Sequence, residues 1–515
     1  MTSAAAQGLR VDLHRFACRA DDPFETFLRL RESEGEQEVF LLESLAGPAA
    51  DKTRAVVGAT PVLDIVVHDG IIELAGHRRW RDWARARMRH FERAREHHPG
   101  HRFHLRERAD LWQALRHLEQ GFDIEGLNDR RFGFGFVSLL SYDAVGYIEA
   151  LPRLIEPTDR TPDAVFRIYR SIVEIDLVSG EAELTVANCP ELDRDGQTDP
   201  DTIRQRLEAA LAEPTTLAPT ATPAPPLART EPETTIEPAA YAERVEASLR
   251  HISAGDIYQV QLGHEVRMQG KRSDLEVYLR MRANNPSPYM GFVPYEDLTL
   301  LSASPELHVR IDGGRLTMRP IAGTIPRGAD AEQDAERAGR LRGDEKEIAE
   351  HVMLVDLCRN DLGRIADPGS VEVGELMNVE SYSHVLHLVS TVTAELAEGF
   401  DAYDVVKATF PAGTMTGAPK LRAMEIIEAT ETSRRGMYAG AFGVIGFGGF
   451  ANLALSIRTV IASGDTYTAR ASAGVVADSS AEGEWRETLA KLGSSVHAVA
   501  GTAATAALSQ KGENR

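Results

Sequence analysis

Cysteine is scarce in this chain: Cys18, Cys189 and Cys358 stand far apart in 515 residues, with no CxxC pair among them. That excludes a disulfide framework and a thiolate zinc site, and it suits a reducing cytoplasm. Long apolar runs are also missing. No stretch reaches the roughly 20 residues needed to cross a bilayer, and the N-terminus, MTSAAAQGLRVDLHRFACRADD, is broken by charge before an h-region can form. Neither a signal peptide nor a membrane partner is expected. Basic residues are outnumbered, 57 against 78 acidic, and the net charge of −21 excludes a phosphate-binding surface for nucleic acid. A small acidic substrate stays compatible, because one Arg in a cleft overrides net charge locally. The Gly-rich FGFGFVSLLSY at 132–142 lacks GxGxxG, so it carries no nucleotide loop and reads as a strand.

Mixed elements fill the rest. Residues 22–33 and 202–212 read as helices, 39–42 as a buried strand, and 62–67 with 70–74 as a hairpin about Asp69-Gly70. The Arg- and His-rich stretch from Trp80 to Phe91 keeps helical spacing and reads as a packed helix with a solvated basic face. Strands joined by hairpins, with helices outside, imply an α+β fold of antiparallel sheets packed as a sandwich. Residues 213–238, EPTTLAPTATPAPPLARTEPETTIEP, are Pro-, Thr- and Ala-rich and nearly free of large apolar side chains. They read as a linker between a domain at 1–212 and a larger one at 239–515.

Two helices carry the chemistry. In DEKEIAEHVMLVDLCRNDL, at 344–362, Glu347, Glu350 and Leu354 share one face, and Ile348, Val352 and Val355 form a neighbouring apolar face. From Ser479, Glu484, Glu487, Thr488 and Lys491 recur opposite Trp485, Leu489, Leu492 and Val496, with Ser479 and Glu482 in capping-box spacing. Paired carboxylates on two packed helices suit a hard divalent cation, Mg²⁺ above all. Solvated helix faces with a Glu487 to Lys491 pair explain the same spacing.

The strings GDIYQV (255–260), NPSPYM (285–290), SPE (304–306), PIAGT (320–324), EHVMLVD (350–356), RND (359–361), HVLHLVS (384–390), FPAGT (410–414), GAPK (417–420) and AGVVAD (473–478) occur in this order. In that order and spacing the chain resembles the chorismate-utilising enzymes, and most closely the large subunit of anthranilate synthase. The resemblance implies that ammonia adds at C2 of chorismate as the C4 hydroxyl leaves, and that pyruvate is then eliminated to give anthranilate for tryptophan biosynthesis. It makes Glu350 and Glu487 ligands of Mg²⁺, with Glu347 and Glu484 adjoining, and Glu306 the acid that protonates the C4 hydroxyl. Gly323, Thr324, Tyr438, Arg458, Lys491 and the backbone at Ser472, Ala473 and Gly474 become chorismate contacts, Ser472 departing from the usual Gly.

Three positions separate siblings. Gln259 stands where water-adding relatives carry a Lys base, and Gln is no base. Ala322 replaces the nucleophilic Lys of a PIKGT string, and His387 matches the His tied to pyruvate elimination. Ser44 in LLES, with Pro288, Tyr289 and Met290, resembles the two halves of a tryptophan site, implying feedback inhibition by L-tryptophan. No cysteine sits in a glutaminase-type nucleophile turn, so ammonia is expected from a separate glutamine amidotransferase subunit in a hetero-oligomer. The alternatives are a 2-amino-2-deoxyisochorismate synthase that stops at the amino intermediate, and a catalytically silent tryptophan sensor.

Overall fold

The computed structural model describes residues 8–20, 22–97, 100–157, 161–193, 199–213, 215, 232–501 and 504–505. Of the proposed linker, residues 214 and 216–231 lie outside the described residues. Its last part is structured: Glu233–Thr234 pairs with the Gln259–Gln269 strand, and Ile236 is buried.

Strand-forming sequence on both sides of position 213 enters one linked, open sheet system, antiparallel except where Leu9–Ala17 runs parallel to Phe122–Glu125. Val39–Glu43 pairs on one edge with Arg54–His68 and on the other with Tyr289–Tyr295. Gly135–Leu140 lies between Ala164–Asp176 and Ala441–Gly446. The hydrogen-bonded ladders therefore run from the first half of the chain into the second. The core does the same, with Phe27, Leu41 and Val57 packing in one cluster with Tyr278, Phe292 and Leu301. Charge pairs reinforce the seam: Arg116 binds Asp401 and Asp404, and Arg282 binds Glu43 at 2.7 Å.

Helices cover the outside, as the pattern of apolar stripes requires. The Pro23–Glu34 helix starts at the Asp22 cap, whose carboxylate accepts from the Glu25 N–H at 2.8 Å. Glu345–Gly363 lies over the Ile321–Pro326 and Val385–Glu395 strands, and Ala481–Ala500 over Thr466–Val475. Val352, expected on a packed face, is 40% exposed, and His351, Leu354, Val355, Cys358 and Leu362 make the inward stripe instead. At about 100° per residue the buried face lies roughly 70° round the helix from Ile348, Val352 and Val355, and on it His351 meets Ser390 Oγ at 2.6 Å. The Ala331–Gly343 and Asp110–Glu119 helices went unread in the sequence; the former buries only Leu341 in its stripe.

Candidate active site

Asp344 caps the carboxylate helix, accepting from the Lys346 and Glu347 N–H groups at 3.0 and 3.2 Å. The cap places Glu347 and Glu350 in the first two turns, facing the strands. Glu350 Oε1 accepts from Gln259 Nε2 at 2.7 Å, and Gln259 is buried. Gly474, paired opposite Gln261, makes room for this amide: a Cβ there would lie 2.6 Å from Gln259 Nε2. Gln259 Oε1 has no hydrogen-bond partner among the described residues.

The second helix begins one residue later than the capping-box spacing predicts. Ser480 is the cap, accepting from the Gly483 N–H at 3.2 Å, while Ser479 Oγ accepts from Val476 N–H at 2.9 Å. Ser479 also stands against Glu484, favouring its ionised form. Glu484 is buried with one carboxylate oxygen unpartnered among the described residues. Glu487 holds Lys491 at 2.6 Å, and Lys491 Nζ also donates to the Ser472 carbonyl at 2.9 Å. Arg458 donates to the Lys491 carbonyl at 3.0 Å, and no carboxylate among the described residues comes within ion-pair distance of it. Its backbone takes φ of 52°, a left-handed conformation that costs energy for a non-glycine residue.

The two helices thus bring four carboxylates into one electrostatic neighbourhood. Burial raises the Glu350 carboxyl above its ordinary range, the Gln259 bond opposes this, and Glu487 adds repulsion. Glu347 is raised by burial and by Glu350, Glu484 by burial and by Glu487. Each would be relieved by a cation. Yet among the described residues no three His, Cys, Asp or Glu side chains converge as a ready ligand group. The all-oxygen donor set, its mutual repulsion and the orphaned Glu484 oxygen fit a hard divalent ion, provided Glu487 exchanges its Lys491 partner.

Glu306 follows the Leu298–Ser304 strand and is 7% exposed. Burial pushes its carboxyl up to about 8, against the pull of the Thr414 hydroxyl and Lys491. A carboxylic acid that stays protonated at neutral pH is what a general acid requires. His387 is flanked by Thr324 on one strand and Glu380 on the other. Its Nδ1 lies 2.9 Å from the Gly323 carbonyl and 3.1 Å from Thr324 Oγ1. Burial lowers the imidazole to about 4, so it is neutral. Gly323 has φ of 61°, and a Cβ there would approach Glu347 Oε2 to 3.1 Å, which places this strand against the carboxylates.

Tyr438 and Ser472 meet at 2.7 Å, and Ser472 Oγ donates to Gln261 Oε1 at 2.9 Å. Ser472 and Gly474 face one side of their strand and Ala473 the other, so Ala473 meets the cleft only through its backbone. Gln261, Thr414 and Tyr382, which sits edge-on to His387 at 5.1 Å between ring centroids, belong to this neighbourhood and went unread in the sequence. Gln261 had a signal: it lies two residues from Gln259 on one strand and therefore shares its face.

The predicted tryptophan residues are brought together elsewhere. Met290 pairs with Glu43, Tyr289 OH donates to Asp51 at 2.8 Å, and Ser44 Oγ is 3.5 Å from the Asp51 carbonyl. A cavity opens beside them, lined by Leu42, Asp51, Pro288, Tyr289, Met290 and Asn452.

The fold and this cleft define a class. A sequence signature described as chorismate binding enzyme spans residues 74–497, and the chain belongs to that family of chorismate-utilising enzymes. It is 45% identical over 497 residues to the 2-amino-4-deoxychorismate synthase of Streptomyces globisporus, covering 96% of this chain and 97% of that one. It is 39% identical over 369 residues to anthranilate synthase component 1 of Aquifex aeolicus, covering 70% and 73%. The crystal structure of anthranilate synthase component I from Streptococcus pneumoniae superposes with a TM-score of 0.71 at 30% identity, over 86% of this chain and 92% of that one.

Proposed function

We propose that this enzyme aminates chorismate to 2-amino-4-deoxychorismate, the amino intermediate also called 2-amino-2-deoxyisochorismate, and releases it before pyruvate is lost. The observation that carries the reading is the similarity to a 2-amino-4-deoxychorismate synthase along nearly the whole of both chains, where the anthranilate synthase relative matches about 70% of this one.

In this reading Glu306, protonated near neutrality, gives its proton to the departing C4 hydroxyl, and Arg458 faces the substrate's carboxylates as a cation not neutralised by a partner carboxylate. Gln259 holds Glu350 and does not deprotonate a water, which suits ammonia as nucleophile. Mg²⁺, held by Glu350 and Glu487 with Glu347 and Glu484 adjoining, would neutralise and orient the ring carboxylate as a Lewis acid. His387 is oriented by a backbone carbonyl, not a carboxylate, and burial makes it a weak base for taking the C2 proton that aromatisation requires.

Ammonia comes from a separate glutaminase subunit. Burial raises the thiols of Cys18 to about 11 and Cys189 to about 12, and raises that of Cys358 too, so no thiolate is ready to attack glutamine. Purified chain, chorismate, Mg²⁺ and an ammonium salt decide the matter. Amino intermediate without pyruvate or anthranilate fluorescence is expected; stoichiometric pyruvate and anthranilate would restore the anthranilate synthase reading, which the presence of His387 favours.

A further inference from the structure

Of the four carboxylates at the cleft, Glu350 accepts from a neutral amide, Gln259 at 2.7 Å, and one oxygen of Glu484 has no partner among the described residues. Glu487 is the one member of the four with an ion-pair partner there. Lys491 Nζ stands 2.6 Å from its Oε1, one turn along the same helix. The ammonium is held a second time, because it donates to the Ser472 carbonyl at 2.9 Å on the strand beneath that helix. Arg458 meets the same residue from the backbone side, donating to the Lys491 carbonyl at 3.0 Å. An ammonium has three N–H groups, so it can release Glu487 and keep Ser472. The pair is also accessible, with the Lys491 side chain 35% exposed and that of Glu487 48%. A surface pair at this spacing is weak and therefore exchangeable. Lys346 supplies a contrast. Both lysines favour the ionised forms of Glu350 and Glu484, yet Lys346 makes no ion pair among the described residues. The two cations share one field and differ in contact.

We infer that Lys491 is the resident counter-cation of the carboxylate site and competes with Mg²⁺ for Glu487, so that the metal binds by exchange: the ammonium leaves Glu487 and stays on the Ser472 carbonyl. This rests on the proposed Mg²⁺ site, and deepens it by naming what the metal displaces. While the metal is away, Lys491 keeps Glu487 from adding an uncompensated charge to three neighbouring carboxylates. The consequence is a weaker hold on the ion, since every binding event must first break the Glu487 to Lys491 contact.

Calorimetric titration of the full chain with MgCl₂, in the absence of chorismate, reads the exchange without turnover. Lys491→Met should bind Mg²⁺ about five-fold more tightly than the parent, the upper end of what an exposed pair contributes, and Lys491→Gln should do the same. Lys346→Met removes a cation from the same field without removing a competitor, so its affinity should stay close to the parent's. Melting curves give a second readout. Without metal, Lys491→Met should melt below the parent; at saturating Mg²⁺ the gap should close, because the pair is then broken in both proteins. A merely structural role for Lys491 would leave the gap in place. An unchanged or weakened Mg²⁺ affinity in Lys491→Met, or an equal gain in Lys346→Met, overturns the exchange. Absence of Mg²⁺ binding by the parent and by every variant would instead overturn the metal site on which it rests.

Discussion

Two buried polar regions of this molecule are built from the same residue types and differ in how their charges are settled. Around Asp51, every charge has a counterpart: Arg319, itself buried, bridges Asp51 and Glu380, Tyr289 donates to Asp51 at 2.8 Å, and Tyr382 reaches Glu380 at 3.4 Å. In the cleft, four carboxylates face one another, Arg458 lacks a partner carboxylate among the described residues, and oxygens of Gln259 and Glu484 go unmatched there. A region closed on itself contributes to folding. A region with unsettled charge is held in place by its surroundings and gains when a ligand of the right charge arrives. Resemblance of sequence strings assigned a ligand to both.

The contrast is broken most severely at Glu306. Glu306→Gln keeps the shape and removes the proton, and turnover should fall about 10²- to 10⁴-fold. In the unaltered enzyme the rate should decline as pH rises through about 8, where the acid ionises. Stability follows the same sign. A carboxyl raised from 4.5 to about 8 contributes stability fully below its ordinary value and loses it as pH rises through the folded value, so Glu306→Gln should melt higher than the parent at alkaline pH. Equal pH dependence of the two melting curves would remove the case for a protonated acid.

Next in size is a pair of substitutions with opposite expected signatures. Arg319→Met leaves Asp51 and Glu380 buried without their cation and should destabilise by about 3–5 kcal/mol in denaturant melts. Glu350→Ala removes one member of a repelling group, so turnover should be lost while the melting temperature holds or rises. If Glu350→Ala unfolds the protein and Arg319→Met does not, the two regions have been assigned the wrong way round.

A gentler probe is the ion. Mg²⁺ should raise the melting temperature by mass action, about 2.7 kcal/mol at a hundredfold excess over Kd, with EDTA reversing it and Glu350→Ala or Glu487→Ala abolishing it. Calorimetry of the three proteins measures this directly. The smallest effect is expected from L-tryptophan, which should leave both rate and melting temperature unchanged if the paired charges around Asp51 serve folding alone. A saturable shift would reopen the Asp51 region as a regulatory site.

Local physics made much of the catalytic layout legible. The 3.6-residue period put Glu347 and Glu350 on one face, and the Glu487 to Lys491 pair formed at 2.6 Å as its spacing implied. Strand alternation likewise joined Gln259 to Gln261, though only Gln259 had drawn notice. Legibility failed where the deciding partner was distant in sequence. Asp51 is 268 residues from Arg319, and neither alone suggests their ion pair. The cap is a local exception: it moved from Ser479 to Ser480 because Ser479 closes a turn with Val476, three residues before it.

By itself the sequence determined the elements, their faces and the family, because periodicity, caps and ordered strings are properties of neighbours along a chain. Only the tertiary structure decided which charges are paired across the chain and which remain unsettled. Those depend on burial and on partners brought together from far apart, and the free energy of a charge or a hydrogen bond is set by what surrounds it in space.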